Sequence, residues 1–149
     1  MGDNMTPKRI ILHHSLTADS ATVSWGAIRK YHMETLGWKN IGYHAGLELV
    51  NDHYEILLGR MLNKVGAHTA GHNHDSIGIC FIGNFDKSEP PPEQWNLGIK
   101  FVASLCELFK ISPDQIFGHQ DFAPKSCPGK KFNIYGFVKQ VSETLANNY

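Results

Sequence analysis

Short apolar runs, each bounded by polar or turn-forming residues, predict several β-strands along the chain. Residues 9–13 form a β-type run that ends in polar side chains, and residues 76–83 are nearly all apolar, the pattern of a strand buried on both faces. Residues 43–50 and 54–58 flank a turn at Asn51-Asp52, and together they predict a β-hairpin. Residues 116–118 form a further short strand candidate.

Apolar side chains at helical spacing predict helices between and after these strands. The first helix is expected to begin with Ser24 as its N-cap and to stop at Gly37. The second opens at the three prolines 90–92 and runs to about Phe109, and the last begins near Asn133. The apolar stripes are formed by Leu97, Phe101, Leu105 and Leu108 in the second helix and by Phe137, Val138, Val141 and Leu145 in the last.

This alternation of strands and helices predicts an α/β fold with a mixed central β-sheet flanked by helices. Because no internal repeat and no long linker divides the chain, residues 1–149 are expected to form a single domain, in which residues 1–6 are disordered. A chain of this length buries about two-thirds of its unfolded surface, enough for a full core without disulfides. The three cysteines are odd in number and form no CxxC pair, so a disulfide framework is not expected.

Composition and charge exclude several classes of protein and partner. With 42% hydrophobic and 19% charged residues, the chain has the composition of a folded protein. Fourteen basic residues balance fourteen acidic ones without a like-charge run, so we expect no nucleic-acid partner. The apolar runs are shorter than the roughly 20 residues that span a bilayer, so we expect no membrane insertion. No secretory signal pattern opens the chain, which predicts synthesis in the cytoplasm.

Nine histidines and one proline-rich loop carry the candidate chemistry. In residues 118–129, His119 and Cys127 lie eight positions apart across a loop that contains two prolines. Prolines stiffen a loop, and a stiff loop can hold two metal ligands in fixed geometry. Imidazole and thiolate together suit Zn²⁺, for which three protein ligands and one open position are the catalytic pattern. Taken singly, a surface histidine and a small buried cysteine are the more ordinary interpretation.

A third ligand has to come from elsewhere, and the His13-His14 pair at the end of the first strand is the best candidate. Adjacent strand residues point to opposite faces, so only one of the two can face a given metal, and spacing alone leaves the choice open. His72 and His74 could form a second pair on a strand, but a loop is favoured there. Cys80 and Cys106 are expected to fill the core.

Four separated motifs, in this order and separation, resemble one known family. The motifs are Leu12-His13-His14-Ser15, Gly42-Tyr43-His44, the stretch His-x5-His-x-Ser-Ile-Gly-Ile-Cys-x-Ile-Gly from His68 to Gly83, and the segment from His119 to Cys127-Pro128. They are similar to the zinc-dependent N-acetylmuramoyl-L-alanine amidases of the type 2 family, which includes small phage lysozymes and peptidoglycan recognition proteins. The resemblance covers roughly residues 8 to 145, and it is strongest to the small phage enzymes.

The resemblance implies one zinc ion per chain, at one end of the sheet, with His13, His119 and Cys127 as its ligands. It implies that Tyr43 is needed for amide cleavage and that Lys125 lies near the metal. It places His44 behind the site and His68 in the lining of the substrate cleft. Recognition proteins without activity usually lack the cysteine ligand, and this chain keeps it, which favours an enzyme.

The implied activity is hydrolysis of the amide bond between N-acetylmuramic acid and L-alanine in peptidoglycan. Two neutral imidazoles and one thiolate leave the zinc site with net charge +1, enough to polarise a water. Lys125 could stabilise an oxyanion, and Tyr43, with an ordinary pKa near 10, is a better positioning group than a base. No HExxH motif and no obvious carboxylate base is present, so the group that transfers the proton stays open.

The biological setting has three interpretations. Without a signal peptide, the chain fits a phage or prophage endolysin that reaches the cell wall only after release from the cytoplasm. The alternatives are a binding module that recognises wall fragments without cutting them and an intracellular amidase that recycles muropeptides. In each case the partner is peptidoglycan or a muropeptide, and a monomer is the simplest expectation. Whether the stem peptide carries diaminopimelate or lysine stays open.

Overall fold

The computed structural model describes residues 3–17 and 24–147, and its centre is a mixed five-stranded sheet. The strands are β1 (Arg9–His14), β2 (Ala45–Val50), β3 (His53–Leu58), β4 (Ser76–Phe81) and β5 (Ile116–Gly118), in the spatial order β3-β2-β4-β1-β5. β2 and β3 form an antiparallel hairpin, whereas β2 with β4, β4 with β1, and β1 with β5 pair in parallel. The predicted mixed sheet is therefore confirmed, and four of its strands end at the same edge.

Three α-helices surround the sheet, as the helical spacing predicts. They are α1 (Ser24–Lys30), α2 (Pro92–Phe109) and α3 (Ile134–Asn147). α1 continues into a π-helical turn, Tyr31–Thr35, and the chain leaves the helical path at Gly37, whose φ of +72° favours glycine. Three short 3₁₀ turns cover residues 73–75, 113–115 and 119–121.

The two faces of the sheet are covered differently, and this difference leaves room for a site. Side chains such as Ile10 and Leu12 point to the face on which α2 and α3 pack, and they form the larger core cluster with Phe81 and Phe137. On the other face, Trp25 of α1 packs with Ile41, Cys80 and Ile82 in a smaller cluster. All six residues of β4 are buried, as expected for a central strand covered on both faces.

The buried face of α2 differs by about one position from the predicted stripe. Leu108 is 66% exposed, and the side facing the sheet is centred instead on Gly98, Val102 and Leu105. A Cβ atom at Gly98 would lie 2.6 Å from Cζ of Phe81, so the glycine allows α2 to pack closely on the Phe81 ring, which β4 carries. Close approach at Gly98 therefore sets the rotation of the helix, which a stripe of large apolar residues does not reveal.

Residues 3–5 of the N-terminus lie against the segment 63–65. The amide of Met5 donates a 2.8 Å hydrogen bond to the carbonyl of Asn63, and the amide of Val65 donates one of 2.9 Å to the carbonyl of Asp3. Burial of the Met5 side chain in the main core explains why the segment is held.

Substitution Phe137→Ala is expected to lower the free energy of unfolding by about 3–5 kcal/mol, since it leaves a cavity beside Phe81 and Phe132. The matched control on the same helix is Tyr135→Ala, at a side chain that is 81% exposed, for which we expect about 0.5 kcal/mol or less. Urea unfolding followed by circular dichroism measures both. Equal effects of the two substitutions would contradict the assignment of the α3 core face.

Candidate metal centre

Parallel pairing brings two histidines together at the carboxyl end of the sheet. Leu12 of β1 is in register with Gly118 of β5, so the next residues, His13 and His119, leave the sheet side by side. Their ring centroids lie 4.7 Å apart. The edge of the sheet therefore presents two imidazoles from segments more than a hundred residues apart in the chain.

The loop after β5 returns Cys127 to the same place, and the turn at residues 84–86 fastens it there. The carboxylate of Asp86 accepts hydrogen bonds from the amide of Lys130 and from the hydroxyl of Ser126, each 2.9 Å long. The amide of His14 lies 3.3 Å from Sγ of Cys127 and donates to it. The thiol is thus held at the end of β1 by contacts on both sides.

The three donor atoms are spaced as a tetrahedral zinc site requires. One ligand atom each from His13, His119 and Cys127 lie within 4.8 Å of one another, and Nδ1 of His13 is 3.8 Å from Sγ of Cys127. Zn–N and Zn–S bonds of ordinary length at a tetrahedral angle place nitrogen and sulfur about 3.6 Å apart. Within residues 3–17 and 24–147 this is the one cluster of His, Cys, Asp and Glu side chains close enough to hold a metal. The residues present therefore fit zinc.

His14, the alternative that spacing left open, points away from this cluster. Its Nδ1 accepts a 3.1 Å hydrogen bond from the amide of Phe85, and the ring packs near the Phe85 ring. The alternation of side chains along β1 sends His13 to one face and His14 to the other. Position relative to β5, rather than sequence spacing, makes His13 the member of the pair that meets His119.

Burial keeps the candidate ligands uncharged in the absence of a cation. It lowers the pKa of His13 well below its usual value, and the neighbouring His68 and His119 lower that pKa further. Burial, followed by the charge of Lys125, also lowers the pKa of His119. The pKa of the Cys127 thiol is raised by burial to about 11. At neutral pH the two imidazoles are ready to bind a metal, whereas the thiol must first lose a proton.

Tyr43 lies against the ring of His13, at a centroid distance of 5.1 Å. Burial, with smaller contributions from the nearby Cys80 and Cys127, raises the pKa of Tyr43 well above its usual value. The Cys80 thiol lies close enough to the hydroxyl to contribute to this pKa shift. Tyr43 therefore stays protonated at neutral pH and can act as a hydrogen-bond donor beside the metal centre.

Cys80 is buried and unpaired, as predicted for a core residue, but it also belongs to the floor of the site. It is in register with His13 on the neighbouring strand, so the two side chains leave the same face of the sheet. Sequence reasoning missed its contact with Tyr43, because the signal is the register between β1 and β4, which only the assembled sheet shows.

Lys125 lies on the loop that carries Cys127, two positions before the thiol, and its side chain is exposed. Its positive charge is close enough to lower the pKa values of His13, His119 and Cys127. The exposed ammonium group of Lys125 thus adds a positive charge near the three candidate ligands and can move toward a bound anion.

His44 and His68 form a layer of imidazoles behind His13. The fully buried His44 ring accepts a 3.0 Å hydrogen bond from the amide of Gly78 and bonds the carbonyl of Lys64 at 2.6 Å, so both of its nitrogens are occupied by backbone. Nδ1 of His68 lies 3.0 Å from Nε2 of His13. His44 thus lies behind His68, and the partly exposed His68 lies against a candidate ligand, while its expected place in the lining of a substrate cleft stays a prediction.

The segment with His72 and His74 is a loop, as favoured from the sequence. Residues 73–75 form a 3₁₀ turn, and the side-chain oxygen of Asn73 accepts hydrogen bonds from the amides of His68 and Thr69. The His72 ring stacks on Phe122 at 4.2 Å, just after the turn that carries His119. The two histidines are therefore structural and take no part in the metal cluster.

Comparison with known proteins adds an independent observation. A family model described as N-acetylmuramoyl-L-alanine amidase matches residues 3–130. The endolysin of Enterobacteria phage T3 is 33% identical over 129 residues, which cover 83% of this chain and 81% of that protein. Peptidoglycan-recognition protein SC1a of Drosophila melanogaster is 30% identical over 125 residues, or 80% of this chain and 66% of that protein.

Among solved structures, N-acetylmuramoyl-L-alanine amidase LysC from Clostridium intestinale superposes with a TM-score of 0.80 at 26% sequence identity. The superposition covers 93% of this chain and 87% of that chain. Nearly the whole fold of this chain is thus shared with a solved amidase.

The protonation states of the ligands make a prediction about pH. Between pH 6 and 7, the apparent affinity for zinc should rise about tenfold per pH unit, because only Cys127 must lose a proton. This range lies below the pKa of about 7 that a zinc-bound water has. Competition with a chelator of known affinity measures this slope. If the imidazoles had ordinary pKa values near 6.5, each would release about half a further proton on average over this range, and the rise would be about a hundredfold per pH unit. A slope that steep would contradict the effect of burial on His13 and His119.

Proposed function

The chain belongs to the N-acetylmuramoyl-L-alanine amidase family, and from that premise we propose that it cleaves peptidoglycan with one zinc ion bound by His13, His119 and Cys127. The bond cleaved is the amide between N-acetylmuramic acid and L-alanine. The observation that carries the zinc assignment is the convergence of two imidazoles and a thiol, with Nδ1 of His13 3.8 Å from Sγ of Cys127.

His13, His119 and Cys127 would hold the ion, and three protein ligands would leave a fourth position for water or substrate. Zinc in such a site supplies Lewis-acid chemistry, because it polarises a water and the carbonyl of a bound amide. The protein contributes the fixed geometry. β1 and β5 hold the two imidazoles, and the contacts of Asp86 with Ser126 and Lys130 hold the loop of the thiolate.

Lys125 and Tyr43 are proposed as the catalytic residues. As the amide carbon becomes tetrahedral, negative charge develops on its oxygen, and the exposed ammonium of Lys125 can move to stabilise it. Tyr43 stays protonated because of its raised pKa, so its hydroxyl can hydrogen-bond the attacking water or the departing amine but cannot act as a base. Lys125 thus supplies positive charge to the carbonyl oxygen, and Tyr43 supplies a hydrogen bond to the water or the amine.

The kind of relatives that the chain has supports a lytic role. Endolysins of several phages match it over about four-fifths of its length. We therefore propose that the whole chain is one amidase domain, made in the cytoplasm, that acts on the cell wall after release. In the part of the chain that the structure describes, no helix is both long and apolar enough to cross a membrane.

A second candidate function is recognition of peptidoglycan fragments without cleavage. It is favoured by relatives named as peptidoglycan-recognition proteins, at 30% identity. The presence of Cys127 beside His13 and His119 supports the enzyme, since a site that only binds sugar and peptide needs no metal-binding thiol.

The substitution Cys127→Ser is expected to lower zinc content from about one per chain to a small fraction and to abolish release of L-alanine-linked peptide from purified peptidoglycan, because a hydroxyl is a far weaker zinc ligand than a thiolate. The matched control is Cys106→Ser, at a buried cysteine of α2 outside the site, which should keep both properties. Metal analysis and mass spectrometry of the products measure them. Zinc binding without cleavage in the unmodified protein would instead support the recognition module.

Tyr43→Phe and Lys125→Met should each reduce kcat by roughly 10²–10³-fold while leaving zinc content unchanged, since neither side chain is a ligand. Steady-state kinetics on a soluble muropeptide, alongside metal analysis, separate the two effects. A loss of zinc in either variant, or a change confined to KM, would contradict the assigned roles.

The lytic role is tested by comparing intact sacculi with soluble muropeptides. An endolysin should cleave both, whereas a recycling enzyme should act on the soluble fragments alone. Parallel assays on diaminopimelate-type and lysine-type stem peptides report which third residue the cleft accepts.

A further inference from the structure

The two ring nitrogens of His13 have different neighbours. Nδ1 faces Sγ of Cys127 at 3.8 Å, on the side where the metal ligands converge. Nε2 faces away from the metal centre and lies 3.0 Å from Nδ1 of His68. Which nitrogen of His13 carries the proton therefore decides whether the ring can bind a metal on the Cys127 side.

The backbone of β4 determines that protonation through His68. Nε2 of His68 lies 3.3 Å from the carbonyl oxygen of Ser76, and a carbonyl can only accept, so Nε2 of His68 carries a proton. A neutral ring then has a lone pair on Nδ1, so the 3.0 Å contact must be donated by Nε2–H of His13. His13 is left with an unprotonated Nδ1 facing Cys127.

The local fold is shaped to hold the His68 ring in this position. A Cβ atom at Gly78 would lie 2.5 Å from Cγ of His68, and one at Gly66 would lie 2.8 Å from its Cδ2. The absence of both side chains lets the imidazole rest on β4 between His13 and Ser76. The amide of His68 is bonded to Asn73, and Oγ1 of Thr69 lies 3.0 Å from its Nδ1, which fixes the ring from the other side.

We propose that His68 is a positioning residue. It donates a hydrogen bond from Nε2 to the Ser76 carbonyl and accepts one at Nδ1 from His13, and it thereby holds His13 as the Nε2–H tautomer that presents Nδ1 to zinc. The proposal rests on the proposed function, because it assigns to His68 the orientation of a zinc ligand. It also gives this histidine a role different from contact with substrate in the cleft. Partners of this kind fix ligand orientation, and their loss typically costs about 10–100-fold in metal affinity.

The pair His68→Leu and His68→Asn separates the hydrogen bond from the packing. Leucine fills the space but leaves Nε2–H of His13 with only the more distant Thr69 hydroxyl, at 3.4 Å, as an acceptor, whereas the asparagine side-chain oxygen can occupy the position of Nδ1 and accept. We expect zinc affinity about 10–100-fold weaker in the leucine variant and recovery to near the unmodified value in the asparagine variant. The control His53→Leu removes an exposed histidine at the start of β3 and should leave zinc affinity unchanged.

Chelator competition measures these affinities, and thermal unfolding of the zinc-free proteins shows that each variant is folded. A role confined to packing would lower the stability of the leucine variant without changing zinc affinity per folded molecule. Leucine and unmodified proteins with equal zinc affinity would overturn the proposal. If the unmodified protein itself bound no zinc and cleaved no peptidoglycan, the proposed function would fail instead.

A measurement on the unmodified zinc-free protein tests the proposed hydrogen bonds of His68 even if the leucine variant does not fold. Ring ¹⁵N chemical shifts and long-range ¹H–¹⁵N couplings distinguish the two neutral tautomers of each histidine. We expect His13 and His68 both to carry the proton on Nε2. A proton on Nδ1 of His13 would overturn the proposal.

Discussion

The parallel pairing of β1 with β5 is the constraint on which the rest of the site depends. Register between Leu12 and Gly118 sends His13 and His119 from the same edge of the sheet, so their separation is set by backbone hydrogen bonds rather than by loop conformation. The remaining ligand, Cys127, needs only to be returned by a short loop. The core formed by α2 and α3 on the opposite face keeps this register fixed, because a slip by one residue would bring His14 to the site instead.

Burial of neutral groups is the second feature of the centre. Imidazoles with lowered pKa values and a thiol whose pKa is raised to about 11 can lie side by side without an uncompensated buried charge. The same burial means that zinc has to displace one proton as it binds, after which the thiolate and the cation neutralise each other in part. Tyr43 is kept protonated for the same reason, while the exposed Lys125 supplies charge from the solvent side. Burial thus explains why the ligands are neutral before zinc binds and why Tyr43 stays protonated.

Much of this arrangement can be predicted from the sequence, and the exceptions share a physical cause. The apolar runs predict β1 and β4, and the stiff loop predicts that His119 and Cys127 act together. Local pattern cannot choose between His13 and His14, since the choice depends on the register in which β1 pairs with β5. It also cannot show that His68 folds back over β4, a contact between segments that are distant in the chain. Gly78, a residue without a side chain inside an otherwise apolar strand, is the one local sign of that close approach.

X-ray absorption at the zinc edge tests the central claim most directly, because it reports the atoms bound to the ion without reference to activity. The account predicts two nitrogen atoms at about 2.0–2.1 Å and one sulfur at about 2.3 Å, with the remaining position taken by oxygen or nitrogen. A spectrum of the unmodified protein that contains only nitrogen and oxygen neighbours would contradict the assignment of Cys127 and, with it, the proposed mechanism.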